Sequence, residues 1–198
     1  MDWIKKCNLI LASGSPRRKE LLEKSGFDFT VRKIGFDEYF PENLNKRLVA
    51  QYLAEKKLKQ SIRFLQLNDN DIVITADTVV INNDELLGKP ESEEQAKLLL
   101  KSLSGNRHEV ITGVCFGNVR NKICFSSVSK VYFDILEPDE IEYYINNYNT
   151  MDKAGAYGIQ DWIGICKIIG IEGSYTNIMG FPTQLFFKKL KEFVIKLN

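Results

Sequence analysis

The sequence predicts an α/β protein built on a mixed β-sheet. Stretches with the apolar spacing of helices alternate with short apolar or alternating stretches that are typical of strands. In the middle of the chain, two long strand-like segments, residues 108–118 and 122–136, flank a short polar turn and indicate a β-hairpin. Helices between strands favour parallel neighbours and a hairpin makes antiparallel ones, so the sheet should contain both.

The N-terminal part has clear local signals. The apolar run at residues 8–12 predicts a buried strand. A helix should follow, because Pro16 suits the first helical position, Ser15 suits the N-cap and Gly26 suits the end. Residues 27–34 alternate between apolar and polar side chains and predict a second strand.

The next helix is predicted from about residue 44 to residue 58. Its apolar stripe is expected to consist of Leu44, Leu48 and Tyr52, with Leu53 beside them. Residues 71–81 are the most strand-like stretch of the chain, and residues 85–90 read as a tight loop.

The remaining elements follow from caps and spacing. Ser92 and Gln95 form a capping box for a helix, and Pro138 opens another. Residues 152–160 form a loop rich in small side chains, and one or two strands are predicted within residues 164–175. Thr183 begins a final amphipathic helix.

The bulk properties exclude several classes of protein. The 198 residues suit one large domain or two small lobes. A net charge of +1 excludes a global field that would attract nucleic acid or a membrane surface. No stretch is long and apolar enough to span a bilayer, and the N-terminal apolar run is too short for a signal peptide. We therefore expect a cytoplasmic protein.

The four cysteines are scattered without metal-ligand spacing, and the chain has a single histidine, His108, so the sequence argues against a structural zinc site. Cys7, Cys115 and Cys166 lie within or beside apolar stretches. They are predicted to be buried thiols in a reducing compartment. His108 is predicted to be a strand residue without a catalytic role, since no nucleophile pattern surrounds it.

Two arginines stand at the start of the first helix, in the sequence SGSPRR at residues 13–18. A helix N-terminus carries partial positive charge and outward N–H groups, so it binds anions. Arg17 and Arg18 add guanidinium groups that suit phosphate oxygens. The alternative is a solvated first turn whose arginines pair with acidic residues elsewhere. The pattern favours an anion site, although it is not a Walker loop.

Asp77 lies in the strand-like sequence ITADTVVI. A carboxylate in an apolar strand is costly to bury unless it is paired or binds a metal. Asp77 is therefore a candidate general base or metal ligand. The alternative is an aspartate at a strand end or bulge.

Other candidates carry weaker signals. Lys89 lies in the tight loop GKP, where a rigid lysine could neutralise phosphate, although an ordinary surface loop is commoner. Glu38 lies in an acidic loop and Lys56 on a helix, and charges in such positions are more often simply solvated. Gln160 ends the small-residue loop, and its amide offers a donor and an acceptor to the edge of a base.

Taken together, these segments resemble the Maf family of nucleoside triphosphate pyrophosphatases. The resemblance rests, in order along nearly the whole chain, on LASGSPRR, FDE, LAEKK, TADTVV, GKP, LSG, TGV, DKAGAYGIQ and GSYTNIMGFP. It implies the Maf/Ham1 (inosine triphosphatase-like) fold, in which a long mixed β-sheet with flanking helices forms two lobes around a cleft. Residues 1–198 would then form a single Maf-like domain.

The resemblance also implies a reaction, the hydrolysis of a nucleoside triphosphate to the monophosphate and pyrophosphate with a divalent metal, Mg²⁺ or Mn²⁺. The loop DKAGAYGIQ resembles the branch of the family that acts on dTTP and UTP. The same site could instead serve a house-cleaning enzyme that removes modified pyrimidine triphosphates. An alternative of another class is a nucleotide-binding regulator of septum formation, but a regulator has less need of Asp77.

The resemblance assigns the candidate site residues to three groups. Positions that set base choice in this branch are matched by Arg18, Thr78 and Gln160. The phosphates are expected to be bound by Ser13, Ser15, Arg17 and Arg18. Catalytic positions are matched by Asp77, Glu38, Lys56 and Lys89. Asp77 corresponds to the proposed proton acceptor, and Asp77 with Glu38 would hold the metal. The implied partner is a small-molecule nucleotide, with no nucleic acid or membrane, and the family suggests a homodimer.

Overall fold

A computed structural model describes residues 2–197, which contain seven strands and seven α-helices. The strands are β1 (Asn8–Leu11), β2 (Phe29–Val31), β3 (Asp71–Asn82), β4 (Glu85–Leu87), β5 (Arg107–Gly117), β6 (Lys122–Phe133) and β7 (Ile168–Glu172). The helices are α1 (Pro16–Lys24), α2 (Val49–Phe64), α3 (Glu93–Leu103), α4 (Pro138–Asn147), α5 (Trp162–Cys166), α6 (Tyr175–Ile178) and α7 (Thr183–Leu197). Single 3₁₀ turns occur at Asp2–Ile4, Lys46–Leu48 and Ala154–Ala156. Within this part of the chain, no helix has the length and apolar character needed to cross a membrane.

The strands form one mixed sheet, which confirms the predicted α/β class with flanking helices. Their order is β2-β1-β3-β5-β6-β7, and β4 pairs with β3 beside this path. β1 is parallel to both β2 and β3, whereas β4 and β7 are antiparallel to β3 and β6. Leu11 at the end of β1 lies opposite Ile74 of β3. Because β1 and β3 run in the same direction, the loop after β1 continues toward the part of β3 that contains Asp77.

The chain divides into two compact units. The first consists of residues up to Asp77, Thr112–Ser127 and the part from Gly180 onward, and the second of Thr78–Ile111 and Val128–Met179. A core cluster of the first unit contains Ala12, Ala54, Leu58, Val73 and Cys115. The core of the second unit includes Leu100, Leu103, Phe133, Tyr144 and Tyr157. The single domain over residues 1–198 stays a prediction.

Helix α2 differs from its prediction in both position and orientation. It begins at Val49 and ends at Phe64, and it buries Ala50, Leu53, Ala54, Lys57, Leu58 and Ser61. The predicted stripe is wrong, because Leu48 and Tyr52 are 52% and 38% exposed. The absence of a side chain at Gly113 of β5 allows the backbone of α2 to approach the sheet closely. A Cβ on Gly113 of β5 would lie only 2.4 Å from the carbonyl carbon of Ala50.

The cysteine prediction is also wrong at Cys115, which is buried but is not a free thiol, and at Cys166, which is not buried. Cys115 and Cys124 form a disulfide between β5 and β6, with their Cα atoms 4.1 Å apart. The hairpin turn pairs Asn118 with Asn121, so three residues back along each strand the two cysteines lie opposite each other. Cys166 is exposed rather than buried, and Cys7 is partly buried.

Candidate active site

The loop between β1 and α1 carries the hydrogen bonds that its sequence predicts. The Ser15 hydroxyl caps α1 by accepting from the backbone N–H of Arg18 at 3.4 Å, and Pro16 occupies the first turn. The Ser13 hydroxyl accepts from the Ser15 N–H at 3.2 Å and from Arg18 Nη1 at 3.4 Å. Arg18 Nε also donates to the carbonyl of Gly180 at 3.0 Å. Both serines and Arg18 are thus held in defined positions.

The top of this loop is open. Gly14 is exposed, and a Cβ built on it would have no atom within 4 Å. Its backbone conformation is one that other residues adopt readily, because its φ lies outside the left-handed region. Neither packing nor dihedral strain explains a glycine here, whereas the close approach of a ligand to the backbone would.

Asp77 lies within β3 and not at its end, which excludes the alternative of a strand-end aspartate. Lys57 Nζ lies 2.5 Å from Asp77 Oδ1 and 2.9 Å from Glu38 Oε1. The Lys57 and Asp77 side chains are 8% and 11% exposed, whereas Glu38 is about half exposed. A buried carboxylate needs such a partner, because an unpaired charge in the interior is costly.

Arg18 belongs to the same electrostatic group. Burial lowers the pKa of its guanidinium, and the carboxylates of Asp77 and Glu38 oppose this shift. Arg17, next to it, lowers the pKa further. The carboxylates of Asp77 and Glu38 therefore interact with two cations, Arg18 at the start of α1 and Lys57 on α2.

Lys56 points in another direction from Lys57. Its Nζ lies 3.1 Å from Asp37 Oδ2, donates to the carbonyl of Tyr39 at 3.0 Å and lies 5.8 Å from the centre of the Tyr39 ring. The backbone N–H of Tyr39 and Lys56 together hold the pKa of Asp37 below its usual range. Lys56 thus anchors the acidic loop that carries Glu38.

Sequence reasoning named Lys56 and missed Lys57. The signal that could have found Lys57 is the helical spacing of Ala50, Leu53, Ala54, Leu58 and Ser61, into which Lys57 fits. A lysine on the buried stripe of a helix needs a carboxylate partner, and that requirement points to Asp77.

The other predicted residues lie in the second unit. Thr78 follows Asp77 on β3 and is partly buried, while Lys89 and Gln160 are exposed. The backbone N–H of Gly155 donates to the carbonyl of Gly88 at 3.0 Å. This bond joins the GKP loop to the DKAGAYGIQ loop.

The two carboxylates fit one kind of metal site. Among residues 2–197, no group of three histidine, cysteine or acidic side chains is placed to hold a metal by itself. Mg²⁺ commonly binds through one or two carboxylates and takes its other ligands from water and substrate phosphates. Asp77 and Glu38, which share the Lys57 amine, match that donor set.

A loop that leads from a β-strand into a helix N-terminus is a common binding site for phosphate groups, because backbone N–H groups and the helix dipole face the anion. The family model described as "Maf-like protein" matches residues 8–193. The chain belongs to the Maf family.

Curated relatives match over nearly their whole length. The chain is 43% identical over 193 residues to a dTTP/UTP pyrophosphatase of Phocaeicola vulgatus, covering 97% of this chain and 99% of the relative. It is 42% identical to a protein of the same name from Flavobacterium johnsoniae, with 98% of each chain covered. Among solved structures, the Ham1 protein of Staphylococcus aureus matches with a TM-score of 0.43 and 14% identity, covering 64% of this chain and 71% of that one.

Proposed function

We propose that this protein hydrolyses dTTP and UTP to the nucleoside monophosphate and pyrophosphate. The observation that carries the proposal is the buried Asp77, whose carboxylate is paired with Lys57, a lysine that also pairs with Glu38. Arg18 at the start of α1 adds a second cation to this group. Support also comes from full-length relatives that bear the name dTTP/UTP pyrophosphatase. A general base next to cations suits attack on a phosphoanhydride, because the substrate carries several negative charges.

The triphosphate would bind at the loop between β1 and α1. Ser13, Ser15 and the first N–H groups of α1 offer donors, and the open space above Gly14 leaves room for phosphate oxygens. Arg17 and Arg18 would neutralise the phosphates, because guanidinium groups pair well with these oxygens. Lys89 would add a further positive charge.

In the reaction, water attacks the α-phosphorus and the bond from that phosphorus to the bridging oxygen breaks. Pyrophosphate leaves, and Asp77 accepts the proton of the attacking water. Lys57 keeps the buried carboxylate charge-balanced before this transfer. When bound, Mg²⁺ or Mn²⁺, which Asp77 and Glu38 would hold, supplies positive charge that offsets the charge of the phosphates.

The specificity for the pyrimidine nucleobase of the substrate would be set by Thr78, Gln160 and Arg18, as the resemblance implies. The Gln160 amide can donate to uracil O4 and accept from N3–H. We also infer that the enzyme acts in the cytoplasm, because nucleoside triphosphates are intracellular metabolites. We further propose a homodimer, which the family resemblance supports.

A nucleotide panel tests the proposal. The protein is incubated with purine and pyrimidine triphosphates and Mg²⁺ or Mn²⁺, and both pyrophosphate and monophosphate are measured. We expect turnover of dTTP and UTP. The hydrolysis rate should fall by a factor on the order of 10²–10⁴ in Asp77→Asn. Gln160→Ala should lose pyrimidine preference more than phosphate affinity.

The matched control is Asp71→Asn. Asp71 is buried on the same strand, but it accepts hydrogen bonds from Asn8 and Asn68 outside the candidate site. This variant should keep most of the activity, and thermal denaturation checks the folding of both variants. If no pyrimidine triphosphate yields pyrophosphate, the proposal is wrong, and binding without turnover would favour a regulator.

A further inference from the structure

The loop that carries Gln160 is fastened to helix α4 by a buried tyrosine. The Tyr144 side chain is fully buried, and its hydroxyl donates to Asp161 Oδ2 at 2.6 Å and accepts from the Gly158 N–H at 3.0 Å. Burial, followed by the Asp161 carboxylate, raises the pKa of Tyr144, so the hydroxyl keeps its proton. Tyr144 thus bonds to the loop on both sides of Gln160.

A buried lysine completes this anchor. Lys153 is only 9% exposed, and its Nζ lies 2.9 Å from Asp152 Oδ1 and 3.6 Å from Asp161 Oδ2. It also donates to the carbonyl of Asn149. Gly158 lies between these groups, because a Cβ there would lie 2.5 Å from Asp161 Oδ2 and 2.9 Å from Lys153 Cε.

The anchored loop restricts the backbone of Gln160. Ile159 before it is buried, and Asp161 after it is held by Tyr144 and Lys153. Gln160 itself is exposed. The backbone of Gln160 therefore has little freedom, while its amide remains available to a ligand.

That restriction matters for a base-reading amide. Uracil offers an acceptor at O4 and a donor at N3, whereas cytosine offers the reverse pair. A freely placed glutamine satisfies either base by rotating its amide, since it carries both donor and acceptor. Discrimination therefore requires that the approach of the amide to the base be limited.

We propose that Tyr144 and Asp161 are positioning residues that set the preference for uracil over cytosine by holding the backbone of Gln160. This inference rests on the proposed pyrimidine triphosphate hydrolysis. Neither residue needs to touch the nucleotide. Their hydrogen bond is within the second unit and exists in the absence of substrate.

Tyr144→Phe tests the inference, because it removes one hydroxyl and keeps the ring. The kcat/KM ratio of UTP over CTP should fall about tenfold, the scale of a lost hydrogen bond to a charged group. The change should appear in KM for UTP, with kcat largely kept. The double variant Tyr144→Phe/Gln160→Ala should lose no more of the preference for UTP over CTP than Gln160→Ala alone loses.

Tyr148→Phe is the matched control. Tyr148 follows helix α4 and stacks on the Tyr144 ring at 5.1 Å, and it carries the same hydroxyl. This variant should leave the UTP to CTP ratio unchanged. Asp161→Asn is a second variant, which keeps an acceptor for Tyr144 but removes the charge that faces Lys153, and it should give an intermediate loss.

Hydrogen exchange in the ligand-free protein gives a readout independent of activity. Tyr144→Phe should increase the exchange of the Gly158 amide, and Tyr148→Phe should not. An unchanged UTP to CTP ratio in Tyr144→Phe, with UTP still hydrolysed, would overturn this inference alone. Absence of pyrimidine turnover in the unsubstituted protein would overturn the proposed function and this inference together.

Discussion

Two adjacent lysines of helix α2 have different environments. Successive residues of a helix are separated by about 100° around its axis, so Lys56 and Lys57 cannot face the same neighbours. Lys57 is buried between Asp77 and Glu38, and Lys56 contacts Asp37 and Tyr39. The burial of Lys57 makes it the stronger determinant of the charge balance around Asp77.

Replacing each lysine by methionine separates the two roles. Lys57→Met removes the amine that is hydrogen-bonded to the buried Asp77 carboxylate, which should lower the unfolding free energy by about 3 kcal/mol or more. UTP hydrolysis should fall at least about tenfold. Lys56→Met loses the ion pair with the exposed carboxylate of Asp37, so its unfolding free energy should change by no more than about 1 kcal/mol.

Urea denaturation and steady-state kinetics measure both effects. Lys57→Arg is the conservative control and should recover part of the stability. A larger loss of hydrolysis in Lys56→Met than in Lys57→Met would favour the residue named from the sequence over the one that contacts Asp77.

Individual site residues were predictable to different degrees. Asp77 and the Ser13–Arg18 loop stand out because a carboxylate in an apolar strand and cations at a helix start break local rules. Lys57 stands out less, since lysines are ordinary helix residues and only its place on the stripe from Ala50 to Ser61 distinguishes it from Lys56. Its role depends on which face of α2 packs on the sheet, and that is a long-range property.

At the scale of elements, β1, the following loop and α1 match their prediction closely. The helix begins at Pro16 behind the Ser15 cap and ends at Lys24, before Gly26 with φ of 74°. These signals act within a few residues, so they can be read without knowing the fold. The loop is therefore the part of the site that sequence reasoning locates best.

Gly14→Ala tests whether this loop approaches a ligand. The methyl group would enter open space, so the fold should be unaffected. If phosphate oxygens approach the Gly14 backbone, KM for UTP should rise about tenfold, because the methyl group occupies their place.

Gly35→Ala is the matched control for this change. Gly35 is also exposed, lies in the same unit and has no atom within 4 Å of a built Cβ. Its KM should stay within about twofold of that of the unsubstituted protein. Equal effects of the two alanines on KM would argue against phosphate binding over Gly14.

The β5–β6 hairpin shows how an element can be predicted while its chemistry is missed. The turn and both strands follow from the sequence, and the disulfide follows only from the register. A shift of one residue would place Cys115 and Cys124 on different faces of the hairpin. Composition suggested free thiols, whereas cross-strand pairing brings these two together.

At the scale of the whole molecule, one buried histidine links stability to pH. His108 is 1% exposed, and its Nε2 lies 2.7 Å from the Tyr157 hydroxyl. Within residues 2–197, no group bonds to its Nδ1. Burial lowers the pKa of His108 to about 4 from an ordinary value of 6.5. A protonated ring would therefore be a poorly paired charge in the core.

This pKa predicts the pH dependence of unfolding. Between pH 6.5 and about pH 4 the unfolded chain binds a proton at His108 and the folded protein does not. The contribution of the neutral His108 to the unfolding free energy is therefore fully present above pH 6.5. It decreases as the pH falls, by up to about 3 kcal/mol. Urea midpoints at pH 7 and pH 5 measure the decrease.

His108→Gln supplies the comparison, because glutamine does not titrate and His108 is the single histidine of the chain. The variant should show a flatter pH dependence between pH 7 and pH 5. Equal losses of stability in both proteins would assign the pH dependence to carboxylates instead.

The sequence by itself determined the α/β class, the mixed sheet, the first loop and helix, the hairpin and the motifs of the Maf family. These features depend on side-chain periodicity, caps and turns, which act between residues close in the chain. The tertiary structure alone decided that α2 turns Lys57 toward Asp77, that Cys115 meets Cys124 and that Tyr144 holds the loop of Gln160. Each of these depends on which surfaces pack together, and packing brings together residues that are far apart in sequence.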